Sequence, residues 1–400
     1  MSQFTGATSK HSISASLVVA TALAVLPVAI LAADEPAPGF LFNAATELRY
    51  DDNVYRSESN EQSDGIALFK PELAWVAPWT ASQFVLGYKG DFGRYFNESD
   101  LNYNDNAVEA HLLLNHNARL RTSYKLGYKR QTDKPGSTDD LFVEGAKPVK
   151  WRDSRAGFKL DYGSTGSQGQ LALQARYNEQ RYANSDEEYR DYDGAGATLT
   201  FYYRVAPKTR LLLEADYSDY DYIEEDIFRS NQSGDNAQLL AGVTWEATGK
   251  TTGVFKIGYR NRTYDDDRFD KQSGLALFLD GTWRANTYTT VTFGAAQDNQ
   301  NSGQRGTGGS VRAYGYIAVV RDITELTRLK VDVRYMNEDF DDFANRDDDR
   351  WETGLGLEYS LVHWLDVGVA YRYQDRDSNV DIFDFTSNAI MLTASTRFGK

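Results

Sequence analysis

The sequence predicts an all-β protein: a single antiparallel transmembrane β-barrel of about 18 strands, with short turns at one end and long polar loops at the other. Three observations predict it. Apolar and polar residues alternate with a period of two over unusually long stretches. Tight turns recur roughly every 40 residues, with longer polar segments between them. Aromatic residues make up 13% of the chain, 26 of them Tyr, and they gather near the strand ends.

The amino-terminal segment stands apart. Lys10 and His11 precede an apolar run from Leu17 to Leu31, and Ala32-Ala33 follow before Asp34-Glu35-Pro36. Basic, apolar, then small is the order of a secretory signal peptide. The run is shorter than the roughly 20 residues a membrane-crossing helix needs. Residues 1–33 are therefore expected to be a cleaved leader and residues 34–400 the barrel. The leader holds one Lys and no acid, so its loss moves the net charge from -15 to -16. A chain this acidic lacks the basic face that nucleic acid requires. It has no cysteine, which removes disulfides and thiolate chemistry.

Alternation identifies the strands. Leu171, Leu173, Ala175 and Tyr177 share one face, with Gln170, Gln174, Arg176 and Asn178 on the other. The same pattern sets Leu211, Leu213, Ala215 and Tyr217 against Arg210, Glu214 and Asp216. It recurs at Phe255, Ile257 and Tyr259, and at Leu329, Val331, Val333 and Tyr335. Period two with one apolar face is strand behaviour. Runs of about ten residues suit a tilted membrane-crossing strand better than the five or six usual in a soluble sheet.

Eight tight turns are expected: Ala77–Thr80, Asn115–Asn117, Ser164–Gly166, Ala206–Lys208, Ala247–Gly249, Ala285–Thr287, Ile323–Glu325 and the region of Val362-His363. Longer segments such as Ser57–Ser63, Gln131–Lys150, Ile223–Asp235, Asp298–Gly308 and Phe340–Arg350 fall between them. Nine such loops give an even strand number with both ends of the barrel on the short-turn side. Closure is a physical requirement, because an open sheet edge in lipid leaves backbone groups unpaired.

Tyr88, Tyr128, Tyr177, Tyr217, Tyr259, Tyr335 and Tyr371 fall late in strands that run toward the long loops. Trp79, Trp245, Trp283 and Trp364 fall beside the short turns. Two interfacial girdles are expected from this placement. The segment Leu392–Phe398 resembles the terminal strand of outer-membrane barrels, with Gly399-Lys400 added after the aromatic residue.

Catalytic groups are sparse, and no enzymatic activity is expected. His116 and His363 sit at turns, and His111 shares the polar face of its strand with Glu109. No nucleophile is placed near them. The acidic runs Glu224-Glu225-Asp226, Asp265-Asp266-Asp267, Asp339 through Asp342 and Asp347-Asp348-Asp349 read as solvated outer loops facing lipopolysaccharide. None has the spacing of a calcium loop. No metal site and no cofactor are expected.

The polar face, which becomes the lumen, carries both signs. Lys89, Lys125, Lys129, Arg176, Lys256, Arg260, Arg262, Arg284, Arg328, Lys330, Arg334 and Arg372 share it with Glu214, Asp216, Asp280, Asp332, Glu358 and Asp366. Two outcomes are open: a mutually neutralised lining, or a basic, aromatic-lined constriction suited to an anionic sugar polymer. Lys125, Lys129, Arg176, Arg260, Arg262, Arg334 and Arg372 are the candidate polymer path, with the arginines expected in the outer half.

The start of the barrel carries a resemblance. Leu48–Arg56, Phe69-Lys70-Pro71-Glu72-Leu73 and Gly87–Tyr95 follow in an order that resembles the "Putative beta-barrel porin 2" family, whose members often lie in capsule and exopolysaccharide gene clusters. The resemblance implies an outer-membrane pore for export or assembly of a polysaccharide. The polymer would come from separate periplasmic or inner-membrane synthesis machinery. A general or anion-selective porin for small solutes is the alternative, and an inward-folded Gln131–Lys150 loop would favour it. A structural or adhesive surface barrel with a plugged lumen is the third.

Overall fold

The computed structural model describes residues 38–136, 147–164, 166–184, 186–246, 249–341 and 345–398. The expected leader, residues 1–33, lies outside them. The described chain forms 18 strands. The first six are β1 (Gly39–Asp51), β2 (Asp64–Trp79), β3 (Ser82–Tyr95), β4 (Tyr103–Asn115), β5 (Leu120–Thr132) and β6 (Lys150–Tyr162). Next come β7 (Gly169–Tyr182), β8 (Tyr192–Ala206), β9 (Thr209–Tyr222), β10 (Gly234–Trp245), β11 (Thr251–Tyr264) and β12 (Gln272–Asn286). The last are β13 (Thr289–Gln300), β14 (Ser310–Asp322), β15 (Thr327–Phe340), β16 (Asp347–Val362), β17 (Leu365–Ser378) and β18 (Phe385–Phe398).

Each strand pairs antiparallel with the next, and β1 closes the ring on β18 from Phe42↔Phe398 to Asp51↔Ala389. A closed ring has no edge, so the backbone is satisfied without water. The connections alternate short and long as expected, with the start of β1 and the end of β18 at the short-turn end. Phe398 takes the backbone position opposite Phe42, the last rung of the closing pair.

Period two sorts every strand into an outward and an inward row. Leu126, Leu213, Leu239, Leu355 and Leu392 are exposed on the outside, where lipid covers them. Tyr88, Tyr128, Tyr177, Tyr217, Tyr259, Tyr335 and Tyr371 share that outward row. Several of their hydroxyls donate to a polar residue on the neighbouring strand: Tyr88 to Asn106 at 2.7 Å, Tyr335 to Asp349 at 2.5 Å, Tyr371 to Asn388 at 2.6 Å, and Tyr217 to Asp235. One end of each ring is apolar and the other polar, which places these residues at the outer interface. Trp79, Trp283 and Trp364 mark the other interface beside the short turns.

The strands have 12 to 16 residues, more than the roughly 9–11 that cross a membrane. The excess stands beyond the tyrosine girdle on the outer side. This corrects the expected loop limits: β5 runs to Thr132, β6 begins at Lys150, β10 begins at Gly234, and the acidic runs are shortened most. Asp339 belongs to β15, Asp347–Asp349 to β16, and Asp298 to β13. Above the girdle a strand meets water on its outward face, so carboxylates no longer signal its end. At the other end, Ala77–Trp79 belong to β2, and the turn shrinks to Thr80 and Ala81, with Thr80 in the left-handed region at φ 51°.

A small apolar cluster closes the mouth beside β1–β4. Leu101, from the loop after β3, is 1% exposed and packs with Val54, Tyr55, Ile66, Leu68 and Tyr103. Leu101→Ala is expected to destabilise this corner by about 2–5 kcal/mol. Hydrogen exchange on residues 52–63 and 96–103 should quicken, with exchange in β10–β13 unchanged.

Candidate functional site: the bore and its outer cap

All seven residues of the expected polymer path point into the bore, because register puts each on an inward row. Lys125 lies opposite His111, Lys129 opposite Asp153, and Arg176 opposite Gly157. Arg260 faces Gln238, Arg262 faces Asn236, Arg334 faces Tyr316, and Arg372 faces Gly354. Arg176, Arg334 and Arg372 lie in the middle of their strands rather than in the outer half. Only Arg260, Arg262 and Lys129 reach the outer part, because these three fall near the outer ends of β11 and β5.

The structure divides them by partner. Arg176 makes a bidentate pair with Asp216, at 2.7 and 2.8 Å, and also meets Thr198. Arg372 stands 3.5 Å from Asp332 and 4.0 Å from Glu352. Elsewhere Lys256 meets Glu214 at 2.8 Å, Lys89 meets Glu72 at 3.3 Å, and Lys330 meets Glu358 at 2.7 Å. This part of the lining is neutralised.

A second group sits over aromatic rings or on neutral oxygen acceptors instead. The Lys129 ammonium lies 4.4 Å from the Trp151 ring centre. Arg262 lies 4.8 Å from Tyr264 and 5.7 Å from Tyr220, and donates to Asn301 at 2.6 Å. Arg334 lies 5.9 Å from Tyr314 and 5.8 Å from Tyr316. Arg260 donates to the Asn299 amide and, at 2.9 Å, to the Leu275 carbonyl. None of these four has a carboxylate salt bridge among the described residues, and neither has Lys125. With Tyr182, Tyr192 and Tyr222, the rings form an arc inside the wall from β6 to β14. Tyr192 stacks on Tyr222 at 5.1 Å, and Trp151 stands 6.4 Å from Tyr182. An aromatic-lined constriction is one of the two outcomes the sequence leaves open. The tyrosines it singles out by number, however, all belong to the outer girdle, and the rings of this inner arc are different residues. Parity was the signal, since Tyr220 and Tyr222 share the row of Glu214 and Asp216.

The bore differs between its ends. Near the short turns, Arg328 and Lys330 keep 42% and 48% of their side-chain surface exposed. At the outer end, inward side chains are sealed: Asp51 1%, Asp153 1%, Glu338 2%, Asp348 0%. Loops that fold inward do this. Tyr189, before β8, donates its hydroxyl to the Gly303 carbonyl, before β14, at 2.6 Å. Their strands stand far apart around the wall, so this bond crosses the mouth. Arg305 lies 4.6 Å from the Tyr189 ring. Gln232 donates to the Ser302 carbonyl at 2.9 Å, and the Gly306 N–H donates to Asp226 at 2.6 Å. Gly309 lets the chain turn from this hub into β14: its φ is +139°, and a Cβ there would stand 2.6 Å from the Gln300 carbonyl oxygen.

The segment after β5 enters from the other side. Lys134 reaches Asp91 at 2.8 Å and Asp105 at 3.4 Å, and lies 3.8 Å from the Tyr103 ring. The Trp151 indole donates to Asp133 at 2.6 Å. Gly136 comes so close to Arg56 and Phe385 that a Cβ would meet them at 2.8 and 3.3 Å. The described part of the Gln131–Lys150 loop therefore folds inward, toward β18. Residues 137–146 lie outside the described chain.

His111 and Glu109 share the inward row of β4, while His116 bonds Thr122 at 2.8 Å in its turn. No group of three or more His, Asp or Glu that could hold a metal ion occurs among the described residues.

A closed 18-strand ring with a charged bore and two aromatic girdles is the geometry of an outer-membrane pore, and residues 37–398 match the family described as "Putative beta-barrel porin 2". The chain belongs to that family. This porin-family barrel resides in the bacterial outer membrane. No curated protein matches its sequence. Solved structures similar to it include OpdK from Pseudomonas aeruginosa with vanillate, at 15% identity, TM-score 0.47, covering 90% of this chain and 99% of that one. Another is OccK11 (OpdR) from Pseudomonas aeruginosa, at 14% identity, TM-score 0.46, 90% and 96%. A third is the siderophore receptor PirA from Acinetobacter baumannii, at 8% identity, TM-score 0.43, 90% and 81%.

Proposed function

We propose that the barrel is a passive conduit for export or assembly of an acidic polysaccharide, made by separate machinery and passed through the lumen. The carrying observation is the inner arc of rings with cations held over them: Lys129 on Trp151, Arg262 on Tyr220 and Tyr264, Arg334 on Tyr314 and Tyr316. Aromatic faces accept the C–H faces of pyranose rings, while the cations draw carboxylate or phosphate along the wall. Distributed weak contacts of this kind guide a polymer without trapping it. The exposed inner end suits entry, and the crossing loops suit a mouth that opens only when cargo arrives.

A second reading, a selective porin for small anions, is favoured by the inward turn of residues 133–136 and by the crossing of loop 301–309. Both readings use the same cations, and the tests separate them. In planar bilayers, reversal potentials should show anion preference, reduced several-fold in Lys129→Ala/Arg334→Ala. In cells, deleting the gene should lower secreted polymer, and the double variant should restore it only in part. Secreted polymer unchanged by the deletion, together with the anion preference, would decide for the small-anion porin.

A further inference from the structure

The outward face carries a charge pattern that the lumen does not explain. Above the tyrosine girdle, Arg130 of β5, Arg152 of β6 and Arg181 of β7 stand directly opposite one another in register, Arg130↔Arg152 and Arg152↔Arg181. Lys150, opposite Thr132, extends this row outward. Arg94 of β3 donates at 2.6 Å to Asn104, one step outward on β4 from Asn106, the register partner of Arg130. Like charges placed directly opposite are destabilising unless something compensates them. Arg181 is compensated, by Asp193 at 2.7 Å and Glu179 at 3.5 Å. Arg130 and Arg152 are exposed and form no carboxylate salt bridge among the described residues, although the Asp191 carboxylate lies near enough to feel the charge of Arg152.

Height decides what can meet them. Tyr128 precedes Arg130 by one step on the same outward row, roughly 7 Å along the strand. The row therefore sits just outside the apolar band, at the level of lipid headgroups. On β8–β10 and β15–β17 the outward rim is acidic instead, with carboxylates directly opposed at Asp193↔Asp221, Asp219↔Asp235, Asp339↔Asp347 and Asp349↔Asp377. An anionic headgroup is repelled there and welcomed at β5–β7.

We infer that Arg130 and Arg152, flanked by Arg94 and Lys150, form a binding site for the phosphorylated headgroup of an outer-leaflet glycolipid. It gives the expected lipopolysaccharide one defined place on the barrel. Five strands, β3 to β7, span about 20 Å at the usual spacing, wide enough for two phosphates. Guanidinium groups bind phosphate with paired hydrogen bonds, and the low dielectric beside the acyl chains strengthens them.

Native mass spectrometry of the refolded full-length barrel tests this, with diphosphorylated lipid A and its dephosphorylated form as probes. The wild type should retain the diphosphorylated form at least about tenfold better. Arg130→Gln/Arg152→Gln should lose that preference, while Asp219→Asn on the acidic wall should keep it. Both variants change exposed side chains, and heat-modifiable mobility checks that each is folded. Equal retention by the arginine variant, or no discrimination by the wild type, overturns the inference. So does displacement of the lipid by millimolar inorganic phosphate, which would mark a free-anion site instead.

Discussion

Asp348→Asn is expected to destabilise the outer end of the barrel by about 3–5 kcal/mol, the cost of breaking a buried ion pair from one side. Asp348 and Arg346 are both fully buried, at 0% exposure, and Arg346 binds the carboxylate in fork geometry, at 2.6 and 2.8 Å. Arg350 and Arg376 approach the same carboxylate at 3.4 and 3.5 Å. The Arg346 guanidinium lies 3.5 Å from the Phe383 ring and 4.2 Å from Phe340. Asparagine keeps the shape and one acceptor but removes the charge, leaving three cations crowded at a sealed site. Tryptophan fluorescence through a urea titration in lipid vesicles measures the loss. A variant that unfolds within about 0.5 kcal/mol of wild type would show that other partners carry these arginines.

The second large effect concerns the cap. Asp226→Ala should raise single-channel conductance several-fold by releasing loop 223–233 from loop 301–309. Asp226 accepts the Gly306 N–H at 2.6 Å, the Ser230 hydroxyl at 2.6 Å and N–H at 2.9 Å, and the Phe228 N–H at 2.8 Å. Burial alone would raise its pKa, but these hydrogen bonds outweigh it and hold the carboxyl below the usual carboxylate range. A lowered folded-state pKa means that the latch contributes fully above the unfolded value, near 4, and is lost as pH falls through the folded value. Wild-type conductance should therefore be steady from neutral pH to about 5 and climb below about 4. The alanine variant should be open and flat over the same range. A wild type whose conductance ignores pH in that window would remove the latch from the account.

Asp348 also shows where sequence reading stops. Asp347-Asp348-Asp349 reads as one solvated loop run, yet β16 continues through it. Period two then puts Asp347 and Asp349 outside and buries Asp348 within the cap. Asp226, in another acidic run, is likewise 8% exposed. A carboxylate triplet has the same composition in either setting. Only the strand's continuation past the membrane, and the arginines that fold onto it, decide which member is sealed.

The candidate path divides the same way. Parity alone placed Lys125, Lys129, Arg176, Arg260, Arg262, Arg334 and Arg372 in the lumen, because alternation is a property of the extended backbone. It could not tell Arg176, neutralised by Asp216 40 positions away, from Arg334, held over rings. Those pairings depend on register between strands and on the direction of each side chain.

By itself, then, the sequence determined a closed barrel, its strand number, its two aromatic girdles and the row facing the bore. Each follows from local period or from the spacing of turns, and closure follows from lipid's refusal of unpaired backbone. Tertiary structure alone decided that the outer mouth is capped and which bore charges stay uncompensated. The loops that cap it have no period to read, and their bonds join residues 80 and 114 positions apart across the opening.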